Sequence, residues 1–163
     1  MVAAGIDSVE HGNMATDETV REMAERGTAW TPTLTTSGVA IELLAGSGSP
    51  IAARARELIE LMQRTLQLAA ELGVALLAGS DEAPHGTIAQ EVAALCRYGV
   101  PPRAAIAAAS SEARRWLGLS GFEPGAPADV VLFDADPRHD ISALSRPAAV
   151  IAAGRRVVCI QPT

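Results

Sequence analysis

Lysine is absent from this chain of 163 residues, so all 13 of its basic side chains are arginines, against 19 acids. The net charge of −6 offers no electrostatic footprint for a phosphate backbone, and aromatics at 3% leave few platforms on which bases could stack. Nucleic-acid binding is therefore excluded from the expected functions. Long apolar runs are missing too: none approaches the roughly 18 residues of a membrane-spanning helix. Met1 is followed by Val-Ala-Ala-Gly-Ile-Asp, without the basic n-region of a secretory signal, so the expected compartment is the cytoplasm. Cys96 and Cys159 are the two cysteines, far apart in the chain, and read as reduced and structural. No G-x-G-x-x-G and no Walker lysine occurs. Ser47 and Ser49 lie outside any G-x-S-x-G, so a nucleophile elbow is missing.

What is present is a globular composition, 48% hydrophobic and 20% charged, of a length that suits one domain. Residues 4–10 read as a short strand ending at His11-Gly12. Thr16-Asp-Glu opens a helix that stops at Gly27. Residues 28–34 form a β-prone run with Pro32 near its end, and 46–50 form a flexible break. Ser49 is expected to cap a helix over 50–72, with Ile51, Leu58, Ile59, Met62, Leu66 and Ala69 on its buried face. Residues 74–78 are continuously apolar, as in a strand buried on both sides. Thr87 with Gln90 predicts a capping box for a helix ending near Gly99, and 102–117 reads as one further helix. Residues 129–133, 148–152 and 155–160 predict short strands, the last two joined by a turn at Ala153-Gly154. There is no internal repeat.

This order predicts an α/β unit with parallel strands and right-handed crossovers over residues 1–120, and a β-rich segment over 121–163. Three parallel strands do not close a barrel, and an open three-stranded sheet leaves its edges unpaired. The chain therefore reads as part of something larger. Active sites of parallel α/β sheets lie at the carboxyl ends of strands, which singles out His11 and Asp81. A histidine nitrogen and an aspartate oxygen from separate strands can converge on one cation, although a catalytic zinc normally takes three protein ligands plus water. His85 sits four residues beyond Asp81, facing either substrate or solvent. Thr33 lines the pocket mouth or serves the turn after Pro32. Glu82 is expected to be solvated and His139 to lie on the surface. A Ser80, Asp81 and His85 triad is too local to be formed.

At these residues the sequence resembles the amidohydrolase superfamily, in its imidazolonepropionase-like and prolidase-like branch. Ala4-Gly-Ile-Asp-Ser-Val-Glu-His-Gly12 is similar to the A-G-x-D-S-I-E-H-G of the sixth barrel strand. Thr31-Pro-Thr-Leu34 resembles the P-T-L after strand seven, and Gly79-Ser-Asp81 the G-T-D after strand eight. Glu91 to Ala113, Pro124 to Asp134 and Gly154-Arg-Arg-Val157 resemble the later patterns in order. The resemblance implies the last three β/α units of a (β/α)8 barrel, followed by distal strands of a small β domain. It implies a hydrolase of amide or other C–N bonds dependent on one or two divalent ions, Zn2+ in the first instance. Asp81 matches the aspartate that binds the metal and takes a proton from the bound water. His11 matches the histidine that ligates a second ion or contacts the substrate carbonyl. The family's H-x-H, its strand-four lysine and its strand-five histidine have no counterpart here. The expectation is thus a small-molecule hydrolase whose missing barrel half, or a second copy of the chain, completes the site. The alternative is a non-catalytic remnant that acts through association.

Overall fold

The computed structural model describes residues 1–83 and 85–157. A single 3-10 turn, Val2–Ala4, closed at Gly5, leads into strand β1 (Ser8–Glu10). The β character expected over 4–10 is confined to its last residues, because Gly5 adopts a left-handed conformation that no extended strand contains. Helix α1 (Asp17–Arg26) follows as its signals predict. Thr16 is extended and its hydroxyl accepts from Thr19 N–H, Asp17 and Glu18 occupy the first turn, and Gly27 ends the helix in the left-handed region. Strand β2 (Ala29–Thr31), wholly buried, runs parallel to β1, with Ser8 opposite Ala29 and Glu10 opposite Thr31.

A π-helical turn, Leu34–Gly38, and helix α2 (Val39–Gly46) come next. Neither is visible as a periodic pattern in the sequence, since α2 buries no residue fully. The 46–50 break joins α2 to α3 (Ala52–Leu72), a 21-residue helix ended by Gly73. Ser49 Oγ accepts from Ile51 N–H at 3.2 Å, so it holds the turn before α3 rather than capping the helix itself. Ile51 is correspondingly 53% exposed and is not part of the buried face, whereas Met62, Leu66 and Ala69 are.

Residues 74–78 run parallel beside β2, yet they make only one bridge, Trp30 to Leu76, instead of a full strand. Trp30 N–H donates to Ala75 O and Leu77 N–H to Trp30 O, but Ala78 N–H is taken by Ala108 O, which ends the ladder. Helix α4 (Ile88–Arg97) starts without the expected capping box. Thr87 has φ −87° and ψ 10°, outside the extended region a cap requires, and its buried hydroxyl has no hydrogen-bond partner among the described residues. The single helix expected over 102–117 is two, α5 (Pro102–Ala108) and α6 (Ser111–Trp116). Ser110 Oγ bonds back to Ile106 O at 2.6 Å, and Ser110 leaves helical geometry at φ −143°.

The tail is a separate antiparallel sheet in the order β3 (Val130–Leu132), β4 (Ala149–Ala152), β5 (Arg155–Val157), with a 3-10 turn at Ile141–Ser145. The predicted end of the last strand, 158–160, and Cys159 lie outside the described residues. The core clusters Val20, Met23, Trp30, Leu66, Val92 and Leu95 between the parallel strands and helices α1, α3 and α4. This is an α/β architecture: three consecutive parallel β/α units of an incomplete barrel, followed by a small antiparallel sheet.

Candidate active site

Three side chains emerge where the three parallel segments end: His11 after β1, Thr33 after β2 and Asp81 after 74–78. Each has a positive φ, at 61°, 50° and 52° respectively. For residues with a Cβ this region costs about 1–2 kcal/mol, so the surrounding bonds must hold it. At Gly12, next to His11, a Cβ would lie 2.8 Å from Trp30 Nε1. That close approach lets the buried indole N–H donate to His11 O at 2.9 Å, which anchors the histidine backbone from below.

His11 Nδ1 lies 2.6 Å from Thr33 Oγ1, and Thr33 Oγ1 lies 2.8 Å from Pro32 O. The hydroxyl has one proton, and Pro32 O, a pure acceptor, takes it. Nδ1 is therefore the donor to Thr33, and Nε2 is the ring nitrogen turned toward Asp81. Nε2 faces Asp81 Oδ2 at 3.8 Å, too far for a hydrogen bond. The Asp81 carboxylate accepts no hydrogen bond among the described residues, and both side chains are about half exposed, at 49% and 64%. An imidazole nitrogen and a carboxylate oxygen, donor types that bind Zn2+ at about 2.0–2.2 Å, thus lie near each other at the strand ends. The donor set fits a divalent cation in kind but not in number. Among the described residues no group of three or more His, Cys, Asp or Glu side chains could hold a metal ion.

Thr33 is thus a partner of His11, a role compatible with both of its expected placements. His85 is exposed and makes no hydrogen bond among the described residues. Glu82 is half-buried and His139 exposed. Cys96 is a free thiol that burial pushes above its ordinary pKa, as expected of an inert structural cysteine.

One residue of the site escaped assignment from sequence. Glu91, on α4, is fully buried. Its Oε1 accepts Leu34 N–H at 2.9 Å, and its Oε2 accepts Thr35 N–H at 2.8 Å and the Thr35 hydroxyl at 3.0 Å. Burial pushes its carboxyl above the ordinary value, while these three donors pull the other way. The signal was an acid within the apolar stripe Ile88, Val92, Leu95, where a charge is tolerated only when it is paired. Thr36 Oγ1 in turn donates to Ser80 O at 2.6 Å, which ties this turn to the peptide preceding Asp81.

Polar side chains at the ends of consecutive parallel segments, buttressed from the outer helix, lie where α/β barrels keep their active sites. The pattern of the Amidohydrolase family matches residues 1–157, and the chain belongs to that family. It is 41% identical over 160 residues to an uncharacterized protein of Mycobacterium tuberculosis, covering 95% of this chain and 43% of that protein. It is 31% identical to an ochratoxinase of Aspergillus niger, covering 91% of this chain and 32% of that one. Among solved structures, a Xaa-Pro dipeptidase with bound methionine in the active site superposes with a TM-score of 0.77 at 28% identity, over 97% of this chain and 41% of the other. A Bifidobacterium longum protein described as a putative prolidase gives 0.78 at 28% identity, over 99% and 44%. The chain thus spans less than half the length of the relatives it matches.

Proposed function

We propose that this chain supplies the carboxyl-terminal strand ends of a hydrolase that cleaves amide or related C–N bonds with one or two divalent ions, zinc in the first instance. The observation that carries the reading is the approach of His11 Nε2 to the Asp81 carboxylate, 3.8 Å apart at strand ends. A bound divalent ion would polarise the amide carbonyl and lower the pKa of water toward about 7. In this reading Asp81, whose carboxylate accepts no hydrogen bond among the described residues, would ligate the ion and accept the proton released as water attacks. Thr33 engages His11 through Nδ1, which leaves the Nε2 edge for a ligand bond or a contact to the substrate carbonyl oxygen. The similarity to proteins described as a Xaa-Pro dipeptidase and an ochratoxinase supports an amide of a small molecule or dipeptide as substrate. His85, exposed on the same loop as Asp81, is assigned to substrate contact.

Two ligands do not complete a catalytic site. The remaining ligands come from the barrel strands that the longer relatives possess and this chain does not match. Among the described residues β1 pairs only with β2, and a cleft of about 500 Å3 lined by Val2, Val9, Met14 and Met23 runs beside it. The missing half of the barrel is the partner proposed for that edge. The test is hydrolysis of X-Pro dipeptides and N-acyl amino acids by the chain alone, and by the chain co-expressed with the remaining part of the M. tuberculosis relative. The reading predicts no turnover by the chain alone. It predicts zinc-dependent turnover by the pair, abolished by EDTA and reduced at least ~10³-fold by Asp81→Asn. Turnover indifferent to chelator and to Asp81→Asn would refute it. A second reading, a non-catalytic partner that works through association, draws on exposed apolar side chains such as Phe122 at 86% and Leu117 at 60%. It predicts that His11→Ala and Asp81→Asn change nothing.

A further inference from the structure

We propose that Glu91 is a positioning residue: from the outer helix layer it sets the tautomer of His11 and the placement of Asp81, although it touches neither. The inference deepens the reading of His11 and Asp81 as a ligand pair and rests on it for its functional meaning.

The chain of contacts is short and directional. Glu91 Oε1 receives Leu34 N–H, which belongs to the peptide immediately after Thr33. That peptide's orientation is what holds Thr33 at φ 50° and ψ 51°, a conformation a β-carbon disfavours. Thr33 Oγ1 is thereby presented to His11 Nδ1 at 2.6 Å. Oε2 receives Thr35 N–H, and the Thr35 hydroxyl as well. Thr35 has one hydroxyl proton, and the carboxylate at 3.0 Å outcompetes Ser80 O at 3.4 Å for it. With Thr35 fixed, its neighbour Thr36 donates to Ser80 O at 2.6 Å, and the next residue is Asp81. One buried carboxylate thus governs two of the three strand-end turns.

The choice of a charged group fits this task. An amide in its place has one acceptor oxygen and turns an NH2 toward Thr35 N–H, so at least one buried donor goes unpaired. A purely structural role would need only volume and burial, both of which the neighbouring Val92 and Leu95 already supply. A pair of N–H acceptors aimed at the residues just after Thr33 is specific to setting that turn. Ligand-orienting partners of this kind typically change metal affinity 10–100-fold when removed.

The test reads the imidazole directly, in the full chain. Long-range 1H–15N correlation at pH 8, where an ordinary histidine is neutral, separates the Nδ1–H from the Nε2–H tautomer. Wild type is expected to show His11 protonated on Nδ1. Glu91→Gln, measured well below its melting midpoint, is expected to lose that preference, and Leu34 and Thr35 amide exchange to accelerate. A folded Glu91→Gln with a lowered midpoint but His11 still on Nδ1 would overturn the proposal, as would a wild-type His11 on Nε2. Should Glu91→Gln fail to fold, Thr35→Val, which keeps the carboxylate but deletes its hydroxyl donor, is read by the same criterion with a smaller shift expected. Mn2+ is then added as a probe. Broadening centred on His11 in wild type, requiring ~10–100-fold more Mn2+ in the variant, completes the expected result. Absence of broadening in wild type counts against the ligand-pair reading, while the tautomer still decides the role of Glu91.

Discussion

Gly79 shows how a single atom constrains the site. A Cβ there would sit 2.7 Å from Thr31 Cγ2, across the parallel pairing that brings β2 beside 74–78. Gly79→Ala must push β2 and the Asp81 turn apart, at a cost of about 1–3 kcal/mol for overpacking. A drop in the thermal midpoint of about 2–4 °C per kcal/mol is expected. Thr31→Ser removes the offending methyl, so the double variant should recover most of the loss. Simple additivity of the two changes in a double-mutant cycle would show that the contact is not the cause. Thr33→Val deletes the acceptor for His11 Nδ1–H while preserving shape, and the imidazole should then populate both tautomers. A His11 still locked on Nδ1 would mean that another group holds it. These constraints were only partly legible beforehand. His11 and Asp81 were marked by their positions after β-prone segments and Thr33 by its place beside Pro32, but their shared left-handed backbone was not. That conformation follows from the strands ending together, which no single residue reveals.

Among the elements, the hairpin between β4 and β5 turns at Ala153 and Gly154, with φ 48° and 75°. Both central residues of such a turn need positive φ, which suits Asn-Gly better than Ala-Gly. Ala153→Asn should stabilise the chain by roughly 0.5–1 kcal/mol, seen as a midpoint raised by a few degrees. An unchanged or lowered midpoint would deny that the turn is strained. Asp129 clamps the same turn by accepting Ala153 N–H at 2.8 Å, and Arg114 lies beside it. The Ala153 N–H bond chiefly, and then Arg114, hold the Asp129 carboxyl below its ordinary value. A carboxyl with a lowered folded pKa contributes above its unfolded value and loses that contribution as pH falls through the folded one. The protection factor of the Ala153 amide, exchange corrected for its intrinsic pH dependence, should therefore fall in acid below the ordinary carboxylate range in wild type and lose that dependence in Asp129→Asn. The strand-and-helix order, the ends of α1 at Thr16 and Gly27, and this turn were all readable from local signals. The π-helical turn and α2 were not, because an apolar helix with no fully buried residue has no periodicity to detect. The break at Ser110 and the uncapped Thr87 were missed for a related reason. Both depend on backbone angles at one residue, where local composition favoured a continuous or capped helix.

At the scale of the whole molecule, three parallel segments bring the candidate residues to one end of the sheet. The chain covers 41% and 44% of two structural neighbours, and β1 lacks a second strand partner among the described residues. Met14, Leu117, Leu119 and Phe122 are exposed. The fold was legible as part of a barrel from the order of its elements and from a strand count too low to close. Substrate identity was not, since specificity in such barrels comes from loops after all eight strands. The account predicts that supplying the rest of the barrel lowers the exposure of these side chains. Hydrogen exchange along β1 should slow on assembly and remain unchanged along β5. Equal slowing at both would place the partner elsewhere.

The proposal that His11 and Asp81 form a divalent-cation site is tested most directly by paramagnetic broadening with Mn2+, which detects even weak binding by two ligands. Titration into the wild-type chain is predicted to broaden resonances of His11, Thr33 and Asp81 first, and both His11→Ala and Asp81→Asn should abolish the effect. Broadening spread over the acidic surface, or persisting in both variants, would contradict the account.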